Sequence, residues 1–244
     1  MLFRIYFNRE KAFHFDIKSV TLHYKCKCYT LTLMNRLHII ILTLTCLIAA
    51  SCNNHTGYNH KLAAVDSLLA AGAVDSAYSE LNNIKPEEIR TTEDSAFFYL
   101  LNTQAAYRMY KPIKSMDGLN FAIRFYSDGN SNREKLATAF FYKGNILYGN
   151  GDAKSGIKYL KNAEFIAEKT NNHELRHKIY EAFVVINEAA DEDRIAMKYS
   201  WKSLHESEVA EKKNWLAHAF NNLAVLYAKE GKKDSSEIYL KKSM

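Results

Sequence analysis

A repeat of 40 residues runs through this chain. Phe140, Tyr180 and Phe220 share one column, and the small residues Gly156, Ala196 and Ser236 share another. Further columns keep the spacing: Leu147, Asn187 and Tyr227; Gly151, Asp191 and Gly231; Leu160, Ser200 and Leu240; Ala163, Ser203 and Ser243. One period earlier stand Leu100, Tyr107, Met116, Asn120 and Ile123, and an earlier unit, shifted by one residue, ends with Leu68, Ala77, Leu81 and Ile84. A unit of this length cannot bury its apolar face alone. Copies must stack, so the expected fold is a quasi-linear array.

Within each unit the pattern is that of a helical hairpin. A large apolar residue, a small one four positions on (Gly144, Ala224) and a large one three beyond place a single stripe on a first helix, A. Gly151 and Gly231 then mark a turn, where a left-handed helix stop favours glycine. The small 156/196/236 column on a second helix, B, lets the two backbones approach, and the leucines at 160 and 240 close the core. No stretch alternates with period two for long enough to argue a sheet. Local signals place the boundaries: Ser131 with Glu134 forms a capping box, Pro112 suits a first turn, and Asp152 after Gly151 is an N-cap. The expected helices span 60–71, 74–84, 92–110, 113–127, 132–149, 153–170, 173–189, 192–209, 212–230 and 233–243.

This order of residues resembles the tetratricopeptide-repeat (TPR) consensus over nearly all of 60–244. The matches are clearest at Phe140, Tyr142, Gly144, Leu147, Gly151, Asp152, Gly156, Leu160 and Ala163, and again at Phe220, Leu223, Ala224, Tyr227, Gly231, Ser236 and Leu240. Met116 is bulky where a small residue is expected, and Asn187 and Ser200 are polar where apolar ones are. The period exceeds the usual length of about 34 residues, so lengthened helices are expected. The resemblance implies an all-α, right-handed TPR-like solenoid of about five hairpins: 60–84, 92–127, 132–170, 173–209 and 212–244. The last hairpin is expected to be uncapped at its outer face.

Charge and cysteines set the first 52 residues apart. Of the formal net charge of +6, the seven basic and two acidic residues of 1–52 supply most. The repeat region is nearly neutral, so no nucleic-acid contact is expected of it. All four cysteines, Cys26, Cys28, Cys46 and Cys52, lie in the same stretch, so the repeats carry neither disulfides nor a cysteine metal site. Residues 37–51 form an apolar run behind Arg36. That run is shorter than the roughly 20 residues of a membrane span but suits a signal-peptide core of about 7 to 15. Ala50 and Ser51 before Cys52 resemble the bacterial lipobox, with Ala49 where Leu is usual. The resemblance implies lipidation at Cys52, a signal at 34–52, a tether at 53–59, and a protein anchored in the bacterial cell envelope facing the periplasm. Residues 1–33 lack both repeat periodicity and signal character and are read as an extension upstream of a start at Met34.

His173-Glu174-Leu175-Arg176-His177 satisfies HExxH, a spacing that sets two histidines on one helix face to bind zinc. Charged Arg176 and Lys178 depart from the peptidase pattern, and Glu188, Glu192 and Glu206 belong to hydrophilic helix faces. A solvated helix start is the simpler reading, and neither a cofactor nor catalysis is expected. No phosphate loop or nucleophile elbow is present.

By register with the family, the A helices line a groove through Leu101, Ala105 and Arg108; Phe141, Asn145 and Tyr148; Glu181, Val185 and Glu188; and Asn221, Val225 and Lys229. This lining lacks the repeated Lys/Asn carboxylate clamp of some TPR domains. The expected function is a lipid-anchored scaffold for a protein or peptide partner. The alternative is the periplasmic sensor half of a membrane-bound transcriptional regulator or kinase whose effector follows Met244.

Overall fold

The computed structural model describes residues 56–128 and 132–244. Ten α-helices follow one another there: α1 Thr56–Ala70, α2 Val74–Asn82, α3 Thr92–Arg108, α4 Asp117–Ser127, α5 Arg133–Gly149, α6 Ala153–Ala167, α7 His173–Ala189, α8 Asp193–Val209, α9 Lys213–Lys229 and α10 Lys233–Ser243. They pair as five hairpins. Each A helix from α3 onward also packs on the next A helix, α3 on α5, α5 on α7 and α7 on α9. The described chain is thus an all-α, TPR-like solenoid, and no strand occurs among the described residues. No described helix is long and apolar enough to cross a membrane.

The small-residue columns are where the helices of a hairpin cross. A Cβ added to Gly144 would lie 2.7 Å from Leu160 Cγ and 2.9 Å from Gly156 O, and one added to Gly156 would lie 2.8 Å from Gly144 O. Backbone meets backbone there, which only glycine permits. In the next hairpin Ala196 is fully buried at the equivalent place. The turns follow the expected chemistry as well: Gly151 and Gly231 adopt φ of 92° and 76°, and Asp191 holds the same left-handed conformation at 56°.

The second hairpin differs from the expectation. Its B helix begins at Asp117 instead of 113, and Lys111–Met116, Pro112 included, is a connection outside any helix. Met116 is therefore a capping position. The close approach falls on Gly118, whose added Cβ would lie 2.5 Å from the Tyr99 ring. The buried stripe of α4 is Leu119, Ala122 and Tyr126, one residue off the repeat column through Asn120 and Ile123. The longer connection shifts the register, and the bulk of Met116 needs no other explanation. At the start of the described residues, α1 takes in residues 56–59 of the expected tether.

Some of the helix starts are held by side chains. Asn132 Oδ1 accepts from Lys135 N at 3.1 Å, Asp152 Oδ1 from Ser155 N at 3.1 Å, and Asn172 Oδ1 from Leu175 N at 2.9 Å. Ser131 of the expected capping box lies outside the described residues, as do Cys26, Cys28, Cys46 and Cys52.

Candidate groove along the A helices

The A helices α1, α3, α5 and α7 share one face, and two adjoining cavities open along it. The first, about 270 Å³, is lined by Asp66 and Leu69 of α1, Phe97, Gln104 and Arg108 of α3, residues from Glu134 to Tyr142 of α5, and Glu174, Leu175 and Lys178 of α7. The second, about 420 Å³, is lined by Tyr107, Phe141, Asn145, Tyr148, His177, Lys178, Glu181, Val185 and Ile186 among others. Phe141 and Lys178 belong to both. The cavities therefore adjoin, with Asp66, Arg108, Glu134 and Lys135 among the lining of the first and Tyr107 and Tyr148 among that of the second.

Of the residues expected to face the groove, Arg108 and Phe141 line the first cavity, and Phe141, Asn145, Tyr148, Glu181 and Val185 line the second. Leu101 and Ala105 do not face it. Both are fully buried in the core shared with α1 and α2, so the groove face of α3 runs through Phe97, Gln104 and Arg108 instead. Glu188, Asn221, Val225 and Lys229 lie outside the two cavities. Lys229 pairs with Asp193 at 2.9 Å. Lys135, Thr138 and Lys178 escaped the sequence reading. The repeat marks their neighbourhood through Asn132 and Asn172 and through Glu134 and Glu174, identical pairs 40 residues apart, but it carries no signal for Lys135, Thr138 or Lys178 themselves.

The polar groups of the groove are positioned by bonds to the frame. Arg108 Nη1 donates to Leu69 O at 2.6 Å and so caps the end of α1. Asn145 donates to Phe141 O at 2.8 Å. Glu181 accepts from Asn222 Nδ2 at 2.9 Å and from the Ser203 hydroxyl, which ties α7 to α8 and α9. Burial pushes the Glu188 carboxyl upward, and Lys229 opposes this.

The HExxH residues are sent to different tasks. His173 Nδ1 bonds Glu206 at 2.7 Å, and the same carboxylate accepts from Arg176 Nε at 2.9 Å. His177 is buried instead, stacked on Trp215 with ring centroids 4.7 Å apart, and its Nδ1 bonds Ser203 Oγ at 3.0 Å and Ser207 Oγ at 3.2 Å. The motif is absorbed by the packing of α7 on α8 and α9. Among the described residues no three of His, Cys, Asp and Glu gather as metal ligands.

No family model matches the sequence, and no curated protein does. Among solved structures the chain is similar to BtubC (BKLC) from P. vanneervenii, at 15% identity and a TM-score of 0.57, over 73% of this chain and 75% of that one. A second similar structure is MamA, at 16% identity and a TM-score of 0.43, over 73% of this chain and 91% of that one. At such identities the likeness to BtubC is one of fold.

Proposed function

We propose that this chain is a scaffold that binds a protein or peptide segment along its A-helix groove, performs no catalysis, and is held at the bacterial cell envelope, facing the periplasm, by a lipid on Cys52. The observation that carries the binding reading is the pair of adjoining cavities lined by four A helices. A helical array presents such a face to one extended partner because every A helix contributes a row of side chains to it. The second cavity supplies apolar surface from Tyr107, Tyr148 and Val185, and Val185 is 61% exposed. Apolar side chains that line one concave site together supply the kind of surface a ligand groove uses, which a single exposed apolar residue does not.

Photo-crosslinking in the native host tests this reading. A photoreactive side chain in place of Val185 is expected to trap a discrete protein partner. The same group in place of Phe165, which is 62% exposed on the B helix α6, should not. Equal adducts from both positions, or none from Val185, would overturn the groove assignment. The anchor has its own test: the wild type should incorporate radiolabelled palmitate and Cys52→Ala should not. A wild type that takes up no label removes the anchor from the reading.

A further inference from the structure

Exposure sorts the charges of the first cavity by sign. Asp66 and Glu134 are exposed, whereas Lys135 and Arg108 are half-buried. Glu174 and Lys178 neutralise one another at 2.5 Å. Lys135 has no such partner: its ammonium lies 3.4 Å above the centre of the Phe97 ring and 5.9 Å from that of Tyr126, and no described carboxylate comes within 4.0 Å of it. Arg108 bonds only Leu69 O among the described residues, through Nη1, so its other N–H groups are uncommitted. The two basic groups are thus less exposed than the two acidic ones, although burial also pushes the Asp66 carboxyl upward. Ring faces hold a cation in place but do not replace the counter-charge that water removal denies it. Consistent with this, burial pulls the Lys135 amine below the ordinary lysine range, and Asp66, Glu93 and Asp94, none of them in contact with it, only partly offset the effect.

We infer that this cavity receives the side-chain carboxylate of an acidic residue within an extended peptide, on Lys135 and Arg108, while the adjoining cavity takes a large apolar side chain of the same peptide. The inference rests on the groove being the peptide site and adds the chemistry of the ligand. An interior acidic residue fits better than a chain end. The cationic groups open to a ligand are one point-like ammonium and part of one guanidinium, which suits a single side-chain carboxylate, and the groove lacks the repeated Lys/Asn clamp with which some TPR domains hold a chain end. Asp66 is a mild repulsive element for such a ligand and an attractive one for a basic ligand. The two variants Lys135→Met and Asp66→Asn must therefore act in opposite directions.

The test uses the full chain and an array of N-acetylated, C-amidated peptides, each with one Glu and one Phe at varied separation. Matched sets replace Glu by Gln or Lys, omit the Phe, or carry a free C-terminal carboxylate in place of the Glu. The best Glu-and-Phe peptide is expected to bind about tenfold more tightly than its Gln twin, the scale of one charge-assisted hydrogen bond. That preference should fade with salt, vanish in Lys135→Met and grow in Asp66→Asn, with unchanged circular dichroism in both variants. Phe-dependent binding that ignores Glu against Gln, prefers Lys, or requires the free terminus overturns the inference and leaves the groove reading intact. Binding of no peptide at all overturns both.

Discussion

Ser200 sits in the column otherwise held by Leu160 and Leu240, fully buried, and its hydroxyl has no hydrogen-bond partner. A buried donor without an acceptor carries its full desolvation penalty, while alanine would fill nearly the same space. Ser200→Ala is therefore expected to raise the unfolding free energy by about 1 kcal/mol, read from urea titration. No change, or a loss, would mean that the hydroxyl is satisfied. His177 carries the opposite kind of signal. Burial lowers its pKa against the attraction of Glu181, with Lys178 on its own helix, Ser203 and Ser207 on α8, and Trp215 and His218 on α9 around it. The unfolded chain then binds this proton more readily than the folded one. Stability should fall as pH drops below about 6.5 and level off below the depressed folded value. Glu164 and Glu206 act lower: burial raises both, but hydrogen bonds from Lys202 and Lys161, and from Arg176 and His173, win and lower them. Their contribution is lost only near and below the ordinary glutamate range. Urea titrations across this range should show the upper step flattened in His177→Gln and the lower step retained.

Between elements, the small-residue column decides how closely the helices of a hairpin approach. Ala196 on α8 has no exposed surface, and Lys198, two residues on, is exposed. Ala196→Leu should overpack the contact with α7 and destabilise by about 1 to 3 kcal/mol, whereas Lys198→Leu should change little. Similar losses from both would mean that the crossing lies elsewhere. This contact was legible in the sequence because a backbone crossing leaves a composition signal: only Gly, Ala or Ser fits, and the period repeats it. The start of α4 was not, because a connection length leaves no such mark. Pro112 is as compatible with a loop as with a first helical turn, and the chain takes the loop, which moves the buried stripe to Leu119, Ala122 and Tyr126. The groove was half legible for the same reason. On α5 and α7 the regular period carried Phe141, Asn145, Tyr148 and Glu181 to one cavity, while on α3 the column through Leu101 and Ala105 turned inward. Lys135 was invisible to the repeat, since its equivalents are Leu175 and Trp215 and its position over Phe97 depends on how two hairpins meet.

At the scale of the array, stability is a sum of hairpin and neighbour terms, so it need not be even along the chain. The largest core cluster joins α5, α6, α7 and α8 through residues from Ala137 to Tyr199. Glu164 of α6 fastens the same hairpins by accepting from Lys202 of α8 at 2.9 Å. The α9–α10 hairpin has far less. Helix α10 contributes no buried residue, and Ile238 and Leu240 are 54% and 47% exposed. What holds α10 is chiefly Tyr239, stacked on Tyr227 with centroids 5.4 Å apart, beside Phe220 at 6.1 Å and edge-on to Trp201 at 5.8 Å. Aromatic pairs of this kind add about 0.5 to 1.5 kcal/mol each, well below what a continuous core supplies. Amide exchange should therefore be at least about tenfold faster in 233–243 than in 137–186, because local opening follows local burial. Tyr239→Ala should accelerate exchange further in 213–243 while leaving 137–186 unchanged. Uniform protection along the array, or acceleration spread over all five hairpins in Tyr239→Ala, would show that the solenoid opens as one cooperative unit and not hairpin by hairpin.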